Sequence, residues 1–592
     1  MVVTGRPART QRTPRGVVRV GVLMVASMML ASMMLGSMMS CRPVVMVDPA
    51  PTPPSAPPPG VAPVPPAARA PDTARGARTP AGQAAVRPRV SATAPEMARE
   101  FRGVWVATVA NIDWPSKRTL TTDEQQRELI DLLDRAAALK LNAVIFQVRP
   151  AADALYASRI EPWSEYLTGA QGRAPEPRWD PLSFVVREAH ARNLELHAWF
   201  NPYRARHTDA KSPLARTHIA RTNPKLVKKY AGYLWMDPGE KAVRERTLRV
   251  VIDVVKRYDI DGVHIDDYFY PYPANSKGRE IPFPDDISWR KYRKTGGKLA
   301  RDDWRRRNVD LLVEALNAGI HKAKPWVKFG VSPFGIWRPG YPAQIRGLDA
   351  YEKLYADARK WLNEGWVDYF TPQLYWPTTK EAQSYPVLLQ WWNDENTKAR
   401  HLWPGNFTSR AGSRGASAFS VGELVEQIRV TRRQAGATGN VHFSMKSFLL
   451  NQGNMNDSLV TGPYAEAALI PATPWLATPA PPTPALRLSN RDGMSAVVLG
   501  TIGPASPWQW LVQLRHETGW TSTVLRGDTR SFRVPAMGTP DRVTVRAFNR
   551  LGVESLPVSL SLVDTVSDAN AAARARSPAS PRSSTRGRPN GR

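Results

Sequence analysis

The chain has 592 residues, 42% of them hydrophobic, with 20 Trp and one cysteine, Cys41. That length exceeds one compact domain, and a single cysteine excludes both an internal disulfide and a cysteine-built metal site. The net charge of +29 suggests an anionic partner, yet residues 1–100 carry 12 Arg, no Lys and four acids (+8), and residues 565–592 carry six Arg and one acid (+5), so +13 sits in terminal segments and the middle keeps +16 with no single dense basic run; that distribution argues against a nucleic-acid binder.

Five arginines (Arg6, Arg9, Arg12, Arg15, Arg19) precede an uncharged run from Val20 to Ser40, which Cys41 ends. A basic start, an apolar run and small residues before a cut describe an export signal. The lone cysteine at the cut resembles a bacterial lipoprotein signal, in which it would carry the lipid, although Met38 stands where Leu is usual. An uncut anchor is the alternative, because the run is long enough to span a bilayer. The expected location is therefore the cell envelope, lipid-anchored, on an outer membrane facing the periplasm. Residues 42–97 are rich in Pro, Ala and Arg, and read as a disordered spacer.

From residue 98 to 471 short β-branched or aromatic runs alternate with helical stretches. Strands are predicted at 103–110, 143–149, 195–201, 262–268, 328–333, 369–375, 401–407 and 441–448. Helices are predicted at 123–139, 181–192, 241–258, 303–323, 351–364, 384–398 and 421–434. The alternation predicts an α/β fold, a (β/α)8 TIM barrel. An open doubly wound sheet is the alternative, weakened because no Gly-rich phosphate loop follows an early strand. Residues 472–484 read as a Pro/Thr-rich linker. Short alternating strands over 485–563 predict a small all-β sandwich, and 564–592 a disordered basic tail.

In a barrel, chemistry gathers at the C-terminal ends of the strands. The fourth strand ends His264-Ile265-Asp266-Asp267-Tyr268, and two adjacent carboxylates at a strand end are costly to bury without a task or a partner. The second strand ends at Arg149, followed by Asp153, Glu161 and Trp163. Other strand ends supply Trp199, Asn201 and Tyr203, then Trp337, then Gln373, Tyr375 and Trp376. Aromatic rings beside amides and carboxylates suit a sugar site, where rings stack on the pyranose and amides bond its hydroxyls. No cofactor or metal is expected; His197 and Asp266 could share a cation, but their spacing does not require one.

These strand ends resemble the glycosyl-hydrolase-like family ten over about residues 98 to 465. The carriers are Arg-Gly-Val-Trp-Val (102–106), Gln-Val-Arg-Pro (147–150), Ala-Trp-Phe-Asn-Pro-Tyr (198–203), Asp-Gly-Val-His-Ile-Asp-Asp-Tyr (261–268) and Pro-Gln-Leu-Tyr-Trp (372–376). The resemblance implies an envelope lipoprotein that cleaves peptidoglycan glycan strands stripped of their stem peptides, often with an added fibronectin type III-like domain. The stretch 543–555 is similar to the end of such a domain. The fourth strand is also similar to the chitinase pattern, but His264 and Tyr268 replace its third acid and terminal Glu, so that mechanism does not carry over.

Glycoside hydrolysis usually needs one protonated carboxyl and one carboxylate. Asp266 or Asp267 is expected as the ionised partner and Glu161 as the raised-pKa acid, with Asp153 in reserve. Arg149 and His264 are expected to orient the aspartates. A non-catalytic glycan-binding protein is the alternative, since the same aromatics serve both.

Overall fold

The structure, a computed structural model, describes residues 91–562 except 416, 417, 477, 492, 493, 504, 536, 537 and 539. The export segment, Cys41, the spacer as far as residue 90 and the basic tail lie outside the described residues. Among the described residues no helix is long and apolar enough to cross a membrane.

The barrel strands form in the expected order: β1 (Phe101–Val106), β2 (Ala143–Arg149), β3 (Glu195–Phe200), β4 (Gly262–Ile265), β5 (Lys328–Val331), β6 (Tyr369–Phe370), β7 in two pieces (His401–Leu402 and Gly405–Asn406) and β8 (Gly439–His442). β1 to β6 lie side by side and parallel, and β1 pairs with β8 on its other edge. β7 closes the ring. Its first piece pairs with β6, Leu402 opposite Phe370, and its second pairs with β8, Asn406 opposite His442. Pro404, between the pieces, has no N–H to give to a ladder, and the strand changes partner there. The sheet has no free edge, which makes it a (β/α)8 barrel and excludes the open sheet.

Helices cover the outside. The first (Thr122–Ala138) starts where Thr121 and Glu124 form a capping box. The second (Pro181–Ala191) starts on an Asp180 cap with Pro181 in its first turn. The expected helix at 351–364 is split into Ala350–Lys353 and Ala358–Asn363, because Tyr355 between them has φ 54°. The eighth strand ends at His442, and Met445–Leu449 is a helix rather than its continuation.

Outward residues such as Val144, Phe146, Val263, Ile265, Phe329 and Val331 join the main apolar core under the helices. Inward residues form a second cluster around Phe101, Trp105, Ile145, Trp199, Tyr369 and Trp403. Two glycines make room for it: a Cβ on Gly262 would stand 2.4 Å from His197 Nδ1, and one on Gly330 would stand 2.0 Å from the Tyr369 ring.

The C-terminal domain is all-β, as expected, with seven strands among the described residues. One sheet orders Pro484–Arg491, Met494–Thr501 and Ser531–Arg533; the other orders Gly519–Arg526, Gln509–His516, Arg542–Phe548 and Val558–Ser561. Val497, Trp510, Val512, Val543 and Val545 fill the space between. The sandwich docks on the N-terminal end of the barrel. There Arg550 pairs with Asp259 and Asp261 ahead of β4, and its guanidinium lies 4.1 Å over Trp508. The linker is not free chain: Trp475 Nε1 donates to Asp368 Oδ1 at 2.8 Å. The end of the spacer is also ordered against the sandwich, with Gln513 Nε2 donating to the Pro95 carbonyl at 2.8 Å.

Candidate active site

The opposite, C-terminal end of the barrel carries the aspartate pair. Alternation along β4 turns His264 and Asp266 inward. Trp199 Nε1, at the end of β3, donates to Asp266 Oδ2 at 3.1 Å, and Asn201 Nδ2 stands 3.3 Å from both carboxylate oxygens. Asp266 is only 3% exposed. Burial pushes its carboxyl up to about 7; Arg204 and the two donors oppose the rise, and the neighbouring Asp267 charge adds to it. Asp267 accepts from the Tyr272 hydroxyl. Burial raises its carboxyl too, against hydrogen bonds from Tyr272 and Gln373.

Half-buried aromatic rings surround this pair. Tyr268 meets Tyr272 at 5.6 Å, Tyr272 meets Phe334 at 6.4 Å, and Phe334 meets Trp376 at 5.7 Å. Tyr375 lies 4.7 Å from Phe407 and 6.1 Å from Phe443. The charges of Asp267 and Asp266 act on the Tyr375 hydroxyl, which burial already pushes well up. Gln373 Nε2 donates to the Ser332 carbonyl at 2.9 Å. The expected residues Asp266, Asp267, Trp199, Asn201, Tyr268, Gln373, Tyr375 and Trp376 are therefore brought to one mouth.

Five other expectations are corrected. Glu161 is not a raised-pKa acid. It is fully buried, and Arg149 grips both its oxygens at 2.7 Å. Burial alone would raise Glu161, but the Arg149 and Arg246 charges hold it below the usual carboxylate range. Arg149 is consequently committed to Glu161 and to the Asn201 carbonyl, 2.6 Å from its Nη1, and contacts neither aspartate nor solvent. Asp153 is raised to about 6 by burial, but it holds the loop after β2, accepting from Ala151 N at 3.0 Å and Gln171 Nε2 at 3.3 Å. Tyr203 is fully buried in the main core, immediately ahead of the short strand Arg204–Arg206. Trp337 sits apart, donating to Asp357 at 3.1 Å and stacking on Trp391 at 5.9 Å.

His264 lies beneath the pair without solvent contact. Burial, with His197 nearby, holds its pKa well below the ordinary value, so the ring is neutral. Trp105 Nε1 can only donate, so His264 Nε2 accepts from it at 3.1 Å, and the ring proton sits on Nδ1, 3.1 Å from the Tyr369 hydroxyl. The chain of contacts continues down the barrel axis through His197 and Glu195 to Lys328. His197 is thus occupied by Tyr369 and Glu195 and does not join Asp266 around a cation. Among the described residues no group of three or more His, Cys, Asp or Glu is arranged to hold a metal ion.

Sequence reasoning missed Arg204 and Tyr272. Tyr272 belongs to the aromatic run 268–272, a signal close enough to Asp267 to have been used. Arg204 has no such signal: a small antiparallel sheet of Arg204–Arg206, Tyr233–Met236 and Val227–Tyr230 delivers it to the mouth.

Residues 100–413 match the family described as glycosyl hydrolase-like 10. Over 403 residues the chain is 44% identical to the glycosyl hydrolase YngK of Bacillus subtilis (strain 168), covering 67% of this chain and 78% of that protein. It is 38% identical over 325 residues to the glycosyl hydrolase DigH of Escherichia coli (strain K12), covering 51% of this chain and 72% of that one. Among solved structures, the PgaB (BpsB) glycoside hydrolase domain from Bordetella bronchiseptica aligns with a TM-score of 0.41 and 12% identity, over 61% of this chain and 98% of that domain.

Proposed function

The chain belongs to the glycosyl hydrolase-like 10 family, and from that premise we propose that its glycosidase site cleaves peptidoglycan glycan strands freed of their stem peptides. The observation that carries the chemistry is the pair of adjacent buried carboxyls, Asp266 held by Trp199 and Asn201 and Asp267 held by Tyr272, at the barrel mouth; burial raises both, Asp266 to about 7. Near neutral pH Asp266 keeps its proton in a large fraction of molecules and can hand it to the leaving glycosidic oxygen. Asp267, ionised and supported by Tyr272 and Gln373, is the partner that attacks or activates water. Tyr268, Tyr272, Tyr375 and Trp376 stack on the sugar rings. We read the sandwich as a fibronectin type III-like module that braces the barrel from below. We assign the enzyme to the cell envelope, held by a lipid on Cys41, on the sequence of residues 1–41 alone.

The test is kcat/KM for reducing-end release from peptide-free glycan strands as a function of pH. Asp266 must be protonated to act, so activity falls as pH rises through about 7, approaching tenfold per unit above it. The acidic limb reports ionisation of Asp267 and lies above the ordinary Asp range. Strand binding with no release at any pH would favour a glycan-binding protein instead.

A further inference from the structure

Five arginines are buried among the described residues: Arg102, Arg149, Arg204, Arg305 and Arg306. Four have carboxylate partners: Glu100 for Arg102, Glu161 for Arg149, Asp285 for Arg305 and Asp303 for Arg306. Among the described residues Arg204, 3% exposed, is in no ion pair. Its Nε donates to the Pro150 carbonyl at 3.0 Å, and its guanidinium lies 4.8 Å over the Tyr268 ring. These contacts fix the plane of the group, and among the described residues Nη1 and Nη2 have no hydrogen-bond partner. Neither nitrogen is among the partnerless atoms sealed from solvent, so neither is closed off from solvent. A buried charge without a counter-charge is costly. Asp266 and Asp267 are close enough to feel Arg204, but neither forms an ion pair with it.

Resting on the glycan reading, we propose that Arg204 is a specificity-determining residue whose free Nη1/Nη2 edge binds a carboxylate on the substrate, the lactyl carboxylate of a muramoyl residue. A preorganised planar fork with two free donors suits a carboxylate better than a sugar hydroxyl. In peptidoglycan the lactyl group ends in an amide while the stem peptide is attached, and becomes a carboxylate only when the peptide is removed. An amide brings no charge to Arg204 and places N–H donors against its N–H donors. The site would thereby sense whether a strand has been stripped by reading charge, with no need for a steric gate.

The experiment compares peptide-free strands with the same strands after their lactyl carboxylates are converted to primary amides. Wild-type enzyme and Arg204→Gln are assayed on both by reducing-end release. Wild-type kcat/KM is expected to fall about 10- to 100-fold on the amidated strands. Arg204→Gln should lose a similar factor on the native strands, mostly in KM, and should no longer distinguish the two. The comparison of substrates with wild-type enzyme needs no variant, so it decides the matter even if Arg204→Gln folds poorly. Equal cleavage of both substrates by wild-type enzyme overturns the role of Arg204 and leaves the glycan reading intact. If Arg204→Gln then only displaces the basic pH limb on both substrates, Arg204 serves solely to tune Asp266. Cleavage of neither substrate by wild-type enzyme overturns the glycan reading and this proposal together.

Discussion

Asp266→Asn is expected to lower kcat/KM on peptide-free glycan strands by about 10²- to 10⁴-fold, the range for loss of a general acid, without weakening the fold. The asparagine keeps the size of the side chain and one acceptor for Trp199 and Asn201, but has no proton to give. The stability side follows from linkage. The folded pKa of about 7 lies above the ordinary 3.8, so between these values the folded state binds more protons than the unfolded one. Folding stability therefore falls as pH rises from about 4 through 7, by up to about 4 kcal/mol for this group alone. A neutral amide escapes that cost above pH 4. Thermal melts at pH 5 and pH 8 check this: the variant should gain on the wild type at the higher pH. A variant that lost stability at pH 8 would assign Asp266 a structural task.

Glu161→Gln should do the reverse. It removes the counter-charge from Arg149, which is fully buried and gripped through two 2.7 Å bonds. Breaking such a pair costs about 3–5 kcal/mol, read as a lower denaturant midpoint. Glu161 is held below its ordinary pKa, so its contribution is present above the ordinary Glu value and is lost as pH falls through the depressed folded one. The wild-type advantage over Glu161→Gln should accordingly be full at pH 7 and shrink in acid. Some activity is lost as well, because Arg149 also holds the Asn201 carbonyl and Asn201 faces Asp266. A variant of unchanged stability whose only defect is catalytic would return Glu161 to the role of acid.

The contrast between these two carboxyls shows what the sequence could and could not reveal. Strand ends were legible because β-branched and aromatic residues alternate up to a chemically dense end, as in 262–267. Glu161 was misread because a carboxylate near Trp163 suggests a raised pKa, while nothing local says where Arg149 points. The β2–β3 register shifts between Gln147 and Arg149, and such an irregularity re-aims a side chain. Arg149 thereby ends on Glu161 rather than on the aspartates. Tyr203 and Arg204 are neighbours in sequence, yet one is core and the other faces the mouth, because the turn after Pro202 enters a small sheet whose other strands come from 227–236. The split of β7 at Pro404 was also hidden, since closure depends on partners from β6 and β8 that no local pattern specifies.

The most direct test of glycan hydrolysis at the Asp266–Asp267 pair is to digest purified peptide-free strands in H₂¹⁸O and weigh the fragments by mass spectrometry. Every new reducing end should carry one ¹⁸O, and Asp266→Asn should yield almost none. Strands left intact by wild-type enzyme, or cut to unlabelled anhydro ends without uptake of water, would contradict it.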